Sequence, residues 1–378
     1  ISIRLIHFFQ TIKILYPLEE IKLNINESQF VFLHLKRIFL TLDYAVAQQN
    51  NHIISESAAL YIGGNLIGNY KFAECGRNYL EKYIDKLVMN DGSFSQHSVV
   101  YHRLVLDTLC QIEIWRRTLN LNPFSNNFYR LCNKLIFWLY EFTDKSTGKC
   151  PNLGGNDGAY CYQYNVDAYR DFRPTLNLAS FLFRSTILFR KNNLIYGIKF
   201  TNLSFSNNIL KKENIVNSEF GFKYFKYGGY LKFFNKYTWA ILRLPIYNFR
   251  PANVDPLHFD LWYKGKNIIR DSGTYSYNKN TSEMDSFQGI SGHSSVQFGD
   301  KENMPRLSRF LWGNWLKLES INMSLDDSNL VDIKSGYKFK SGSHFRRIIC
   351  NKNNSNWEIV DYISDFNEKA ILRWRLIN

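Results

Sequence analysis

The apolar residues of this 378-residue chain change their spacing near the middle of the sequence. Between about residues 28 and 195 they recur every three or four positions, the period of an amphipathic helix. From about residue 215 onward they alternate, the period of a half-buried strand. A run of helices followed by a run of strands predicts an α+β chain with segregated domains. We predict a helical domain over 1–200 and a strand domain over 201–378, with a linker near 196–216.

The chain is basic, with a formal net charge of +14. Such a charge favours polyanionic partners: nucleic acid, an anionic membrane surface or an acidic polysaccharide. The Lys and Arg residues form no basic tail or block, which argues against nucleic acid. No run of eighteen apolar residues occurs, so no transmembrane span is predicted. The chain begins at Ile1 and ends at Asn378 in a strand-like sequence, so we expect a fragment at both ends.

Two polar motifs lie at the predicted starts of helices. In QNNHIISESAALYIGG, Asn51 and His52 precede a helical run. An Asn here either caps the helix or, with the imidazole, faces an anionic ligand. In DGSFSQHSVVYHRLVLD, Tyr101 and His102 lie in the first turns of a helix. A tyrosine there either packs with a bonded hydroxyl or acts as a general acid or base.

Two further motifs combine polar side chains with turn residues. CPNLGGNDGAYCYQ carries Asn156 and Asp157 in a glycine-rich loop, a composition that often carries binding residues. NVDPLHFDLWYKGKNIIRDSGTYSYN, residues 253–278, is typical of a β-hairpin and contains Asp271. GISGHSSVQFGD places His293 between small residues. Taken singly, each His or Asp in these motifs is more often a hydrogen-bonded or surface residue than a ligand.

The ordered set of these motifs resembles the heparinase II/III-like polysaccharide lyase family. The resemblance includes DFRP at residues 171–174 and runs from about residue 28 to 375. The hairpin is most similar to the branch associated with capsule and exopolysaccharide gene clusters. The resemblance implies an incomplete (α/α) toroid followed by an antiparallel β-sandwich, and β-elimination on an acidic polysaccharide that contains uronic acid. It also implies that no cofactor is required, and a periplasmic or cell-envelope location.

The resemblance also implies roles for individual residues. Tyr101 matches the tyrosine that removes the C5 proton of the uronate, protonates the leaving O4, or does both. Asn51 and His52 match the residues that neutralise the uronate carboxylate, where fixed donors stabilise the developing enolate-like charge. The expected substrate contacts are His102, Asn156, Asp157, Arg173 and Tyr275.

The hairpin departs from the family pattern. Lyases of this family carry His-x-His-x-Asp there, and the first His is catalytic while the second binds a metal, often zinc. The matching positions in this chain are Pro251, Asn253 and Asp255. Asp271 and His293 match the other two metal ligands, but a weak amide at Asn253 leaves a donor set that disfavours a structural zinc.

One question about the hairpin is whether another histidine takes the place of the missing one. His258 lies five positions beyond Asn253, and an odd separation on a strand predicts the opposite face of the sheet. The departures at Pro251 and Asn253 motivate a second hypothesis. In it the chain is a glycan-binding or exopolysaccharide-assembly protein on the same scaffold, without elimination.

Overall fold

A computed structural model gives the fold of the chain. The structure describes residues 1–16, 21–163, 168–190, 198, 201, 219–278, 281–300, 302–326, 329–352 and 356–377. The predicted linker at 196–216 lies almost wholly outside these described residues. The chain divides into two compact units, which we call the helical unit and the strand unit. The helical unit comprises Ile1–Ser95, Tyr101–Thr143 and Ala159–Asn214, and the strand unit comprises Gln96–Val100, Asp144–Gly158 and Ile215–Asn378.

The first half of the described chain is helical, as its apolar period predicts. Its helices are α1 (Ser2–Leu15), α2 (Ile25–Gln48), α3 (Asn51–Leu66), α4 (Tyr70–Leu87), α5 (Val99–Thr118), α6 (Asn126–Phe142) and α7 (Arg173–Arg184). Helix α3 packs against α1, α2 and α4 and is buried on nearly all sides. None of the helices in the described residues is both long and apolar enough to span a membrane.

Polar side chains begin several of these helices. Asn24 and Glu27 form a reciprocal capping box at the start of α2, in which each side chain bonds the backbone N–H of the other residue. Asn69 caps α4, and Ser125 caps α6 in the same way, by accepting a bond from a backbone N–H of the first turn. These bonds satisfy donors that a helix start otherwise leaves without partners.

The second half of the described chain is built mainly from antiparallel strands. Its strands are β1 (Gly221–Phe225), β2 (Tyr230–Phe234), β3 (Thr238–Arg243), β4 (Phe259–Tyr263), β5 (Lys266–Ile269), β6 (Val296–Phe298), β7 (Arg306–Ser308), β8 (Leu311–Trp312), β9 (Ser320–Leu325), β10 (Leu330–Phe339), β11 (Gly342–Asn351), β12 (Trp357–Ser364) and β13 (Ala370–Leu372). A five-stranded sheet runs β1-β2-β3-β4-β5 and a four-stranded sheet runs β12-β11-β10-β9. A short helix, α8 (Thr281–Gln288), precedes a turn of 3₁₀ helix at Ile290–Gly292.

One apolar core joins the two larger sheets. Leu231 and Phe233 of β2 belong to the same buried cluster as Ile333 of β10 and Ile348 of β11. Trp357 packs across the core against Phe233, at 5.9 Å between ring centroids. Two facing sheets that share a core of alternating residues form a β-sandwich.

The predicted hairpin is present but shorter than its sequence pattern. Strands β4 and β5 are joined by Lys264 and Gly265, which both have positive φ angles (46° and 76°) as a tight hairpin turn requires. Residues 253–258 are not a strand. Leu257 has a φ of 56°, and the N–H of His258 donates to the carbonyl of Asp255 (3.0 Å), so the chain turns here.

The close approach of α3 and α4 generates a stability prediction. A Cβ at Gly76 would collide with the backbone nitrogen of Tyr61 and would lie 2.6 Å from the carbonyl oxygen of Ser57. We expect Gly76→Ala to lower the free energy of unfolding by about 1–3 kcal/mol, because overpacking outweighs the gain of roughly 1 kcal/mol in helix propensity. Urea unfolding of both proteins measures the difference.

The matched control is Asn78→Ala, at an exposed position of the same helix, which gains helix propensity without a collision. A Gly76→Ala variant as stable as Asn78→Ala would contradict the close packing of α3 against α4.

Candidate functional site

The predicted catalytic residues of the helical unit lie at the starts of two helices. Helix α3 begins at Asn51, and its cap is the preceding Asn50, whose side chain accepts a bond from the N–H of His52 (2.9 Å). Asn51 is buried and His52 is exposed. Tyr101 is half-buried in the first turn of α5. Ser95 Oγ donates to the carbonyl of Gln49 (3.0 Å), so the chain ahead of α5 lies beside the chain ahead of α3.

His102 has a different environment from its neighbour Tyr101. Its ring is 1% exposed and stacks on Trp138, with 4.5 Å between ring centroids. Its Nε2 donates to the carbonyl of Leu135 (2.9 Å). Burial lowers the pKa of His102 to about 4, so the ring is neutral near pH 7. This environment is that of a packing residue, and the substrate contact expected of His102 stays a prediction without support from the geometry.

Arg173 lies at the start of α7 in a buried ion pair. Its Nη2 lies 2.6 Å from Asp171 Oδ2, and its Nε donates to Asp171 Oδ1 at 2.9 Å. Both residues come from the DFRP motif, so the motif folds back on itself and fixes the guanidinium. The substrate contact expected of Arg173 likewise stays a prediction.

Three of the expected substrate contacts line one cleft in the strand unit. The cleft has a volume of about 500 Å³ and is lined by Asn156, Asp157, Gly158 and Thr274–Asn278. We call it the loop cleft. It brings Asn156 and Asp157 together with Tyr275, which lies more than a hundred positions further along the sequence. Their joint location makes the loop cleft a candidate ligand site, and the substrate contacts expected of the three residues stay predictions.

A second group of polar side chains is buried in the strand unit. His293 Nδ1 donates to the carbonyl of Gly289 (2.7 Å), and His293 Nε2 lies 3.1 Å from Asp271 Oδ2. The other carboxylate oxygen of Asp271 accepts from the N–H of Gly273 (2.6 Å). Burial alone would lower the pKa of His293, but the adjacent carboxylate of Asp271 raises it to about 9. Burial likewise opposes ionisation of Asp271, but the imidazole of His293 lowers its pKa.

His258 lies in this buried group, so its expected location on the opposite face from Asn253 is wrong. The rings of His258 and His293 are 5.4 Å apart, and Asn253 Nδ2 lies 3.4 Å from His293 Nε2. His258 Nδ1 accepts a bond from the N–H of Ser294 (2.9 Å). The expectation assumed strand geometry over residues 253–258, but the turn at Leu257 reverses the direction in which His258 points.

Sequence reasoning also missed the residue that holds these two histidines. Arg346 of β11 donates from Nη1 to the carbonyls of Leu257 (2.6 Å) and Ser294 (2.7 Å), the neighbours of His258 and His293. In the sequence, Arg346 lies in a segment of alternating apolar residues and is followed by another Arg, a pattern that does not indicate such a role. The role of Arg346 is visible only in the structure, where its side chain reaches the turns at residues 257 and 294.

The buried group does not fit a zinc ion. Zinc sites in proteins use three or four nitrogen, sulfur or carboxylate donors. Within the described ranges, no three His, Cys, Asp or Glu side chains are arranged to hold a metal. The carboxylate of Asp271 and the imidazole of His293 are paired with each other, and the third neighbour, Asn253, offers an amide.

Comparison with known proteins finds a family model that matches the strand half of the chain. Residues 218–377 match the sequence model of the family described as Heparinase II/III-like, C-terminal. A search of curated proteins found no match to this sequence. Among solved structures the chain is similar to a heparinase III, the BT4657 gene product with methylated lysines. That likeness has a TM-score of 0.64 and 16% identity, and covers 88% of this chain and 47% of that one.

Other heparinase structures give the same result. Another heparinase III has a TM-score of 0.61 and 17% identity, over 82% of this chain and 47% of that one. The heparan sulfate lyase HepC from Pedobacter heparinus has a TM-score of 0.57 and 18% identity, over 88% and 49%. The chain thus spans about half the length of the structures it matches. The α+β architecture, an incomplete (α/α) toroid followed by an antiparallel β-sandwich, is confirmed.

The paired imidazolium of His293 predicts a loss of stability at alkaline pH. Its pKa is about 9 in the folded state, against about 6.5 in an unfolded chain. The pair therefore contributes its full stability below about pH 6.5 and loses it as the pH rises through about 9. We expect the free energy of unfolding to fall between about pH 7 and 10, and to fall less in His293→Gln, as measured by urea unfolding.

Other groups titrate in this range, so the comparison between the two proteins isolates His293. A parallel decline in wild type and His293→Gln would mean that the pair does not contribute to stability through the imidazolium.

Proposed function

We propose that the protein is a polysaccharide lyase, because residues 218–377 match the model of the family described as Heparinase II/III-like, C-terminal. Its proposed substrate is an acidic polysaccharide that contains uronic acid, and its proposed reaction is β-elimination. The solved heparinases of similar fold support the class of enzyme, and the net charge of +14 agrees with a polyanionic substrate.

The proposed reaction uses residues of the helical unit. Tyr101 removes the proton from C5 of the uronate, the C5–H electron pair forms the C4=C5 double bond, and the C4–O4 bond breaks. A proton delivered to O4, by Tyr101 or by water, completes the leaving group. Asn51 and His52 donate to the uronate carboxylate and stabilise the negative charge that develops on it.

One observation carries this assignment. Asn51 and His52 lie in the first turn of α3, and the bond from Ser95 to Gln49 brings the chain ahead of α5 to the same end of α3. The start of a helix carries partial positive charge and N–H groups, which favour a carboxylate. In the proposed reaction, Tyr101 of the first turn of α5 transfers the proton of the uronate that Asn51 and His52 hold.

The direct test is elimination by the purified protein. Unsaturated uronate absorbs in the near ultraviolet, so a rise in absorbance with heparan sulfate, unsulfated glucuronate–hexosamine polymer or alginate reports turnover. We expect Tyr101→Phe to lower kcat by at least about 100-fold, since general acid–base catalysis typically contributes 10²–10⁴-fold. The matched control is Tyr70→Phe, which removes a hydroxyl from an exposed tyrosine of α4 and should leave kcat unchanged.

Activity retained in Tyr101→Phe would overturn the role of Tyr101. Absence of product with all three polysaccharides would contradict the lyase proposal itself.

A glycan-binding protein without elimination is the second candidate. Pro251 and Asn253 stand where the family pattern has histidines, and the imidazole of His293 is paired with the carboxylate of Asp271. This candidate predicts saturable binding of an acidic polysaccharide, measured by calorimetry, with no absorbance change over a day. Any sustained turnover that Tyr101→Phe abolishes would exclude it.

A further inference from the structure

We propose that the outer face of helix α2 is the contact surface of a dimer, in which α2 packs antiparallel against α2 of a second copy of this chain. Six residues form this face, which we call the outer seam: Phe30, Leu33, Arg37, Leu40, Tyr44 and Ala47. The inference concerns the helical unit alone and does not depend on the proposed reaction.

Helix α2 carries two apolar faces, and the helical unit buries one of them. The helix packs mainly against α3, and its buried residues are spaced alternately by four and three positions: Val31, Leu35, Ile38, Leu42 and Ala45. The outer seam has the same alternating spacing, but lies about 150° further around the helix, at about 100° per residue. A surface helix normally has polar or charged residues opposite its core face. The second apolar face therefore needs a partner of its own.

The residues of the outer seam are exposed although most of them are large and apolar. Leu33 is 56% exposed, Leu40 70% and Tyr44 69%, and Phe30 is exposed beside Phe8 of α1. Scattered exposed apolar residues need no explanation, but a contiguous apolar face marks an interaction surface. Steps of three and four positions over about two and a half heptads are those of the a and d positions of a coiled coil. The occupant that fits this face is therefore another helix with the same spacing.

Arg37, the charged member of the outer seam, selects the antiparallel orientation. In a parallel pair of α2 helices, Arg37 would face Arg37 of the second copy, and the two like charges would repel each other. An antiparallel pair instead aligns each a position with a d position, so that Arg37 lies opposite Leu40 and Leu33 lies opposite Tyr44. The aliphatic stem of Arg37 can then cover the leucine while its guanidinium reaches water.

The residues that flank the outer seam complement a second copy of α2. In the antiparallel pair, Lys36 of one copy and Asp43 of the other lie between the same two layers of the seam, and both side chains are exposed. Opposite charges at such flanking positions set partner choice and orientation. The two-fold symmetry repeats the contact, so each dimer gains two ion pairs.

The charge balance of α2 also argues against a polyanionic occupant. Lys36 and Arg37 are balanced within the helix by Glu27 and Asp43, whereas the whole chain has a net charge of +14. Nucleic acid and anionic lipid surfaces attract basic surfaces by long-range electrostatics. A neutral helix with an apolar seam therefore fits another neutral helix better than it fits a polyanion.

Sedimentation equilibrium on the full chain tests the dimer. We expect the mass to rise with concentration from 44.6 kDa towards twice that value. The expected dissociation constant is on the order of 10 µM, because so short a seam only just offsets the freedom lost on association. Leu40→Lys should weaken the dimer by at least about 100-fold, since each dimer loses two buried leucines. The matched control is Ile25→Lys, at an exposed apolar position of α2 outside the outer seam, which should change nothing.

Charge reversal tests the orientation of the two helices. Lys36→Asp alone and Asp43→Lys alone should each weaken the dimer by about tenfold, because two attractive pairs become repulsive. The double variant Lys36→Asp with Asp43→Lys restores both pairs in the antiparallel arrangement, so it should recover the affinity of the wild type. Both positions are exposed, and urea unfolding of each variant checks that the fold is retained.

Four outcomes would overturn the inference. One is a mass of a single chain at up to about 500 µM protein. The second is a dimer that Leu40→Lys leaves unchanged, because another surface then joins the copies. The third is a dimer that the double charge reversal does not restore. The fourth is a monomer that binds vesicles of anionic lipid and loses this binding in Leu40→Lys, which would assign the outer seam to a membrane surface.

Discussion

The buried guanidinium of Arg346 is the interaction on which the polar centre of the strand unit depends. A charge without exposure to water is costly unless it is paired and its donors are satisfied. Asp361 pairs with Nε at 2.7 Å and Nη2 at 3.1 Å, while Nη1 reaches the carbonyls of Leu257 and Ser294. Burial opposes the ionisation of Asp361, but bonds from His344 and Arg346 lower its pKa to about 2. One side chain of the four-stranded sheet thereby fixes two turns that belong to neither large sheet.

The consequence of that arrangement is a fixed position for the buried pair of His258 and His293. In a metalloenzyme, the ion itself orders the ligands, and outer partners orient each imidazole. Here His293 has such a partner in Gly289 O, but its other nitrogen meets Asp271. The positive charge that balances Asp271 is therefore supplied by the protein.

Apolar spacing was sufficient to predict the order of elements but not the local geometry of the site. The period of two correctly predicted a β-hairpin, which the structure has as β4 and β5. It failed for His258, because a single positive φ at Leu257 interrupts the strand and leaves no trace in hydrophobicity. Arg346 was missed for a related reason: its partners are backbone carbonyls, which every residue possesses.

The candidate residues of the helical unit likewise show that the sequence predicts an element but not the local geometry of its side chains. The polar motif before α3 predicted a helix start, and the structure has one at Asn51. The cap is Asn50, however, and adjacent amides cannot be told apart by composition. Tyr101 and His102 are adjacent in sequence, but Tyr101 is half-buried while His102 stacks on Trp138. The sequence alone does not show this difference, because Trp138 lies on a different helix.

The division into units has a consequence for how parts of the chain can be exchanged by recombination. Gln96–Val100 and Asp144–Gly158 come from the helical half of the sequence but cluster with the strands. The chain therefore passes between the units repeatedly, and Tyr101 follows directly after one such segment. A recombination event with a single junction cannot exchange one unit for another, because it would leave behind part of the loop cleft. Any exchange that keeps the loop cleft intact therefore also needs junctions on both sides of Asp144–Gly158.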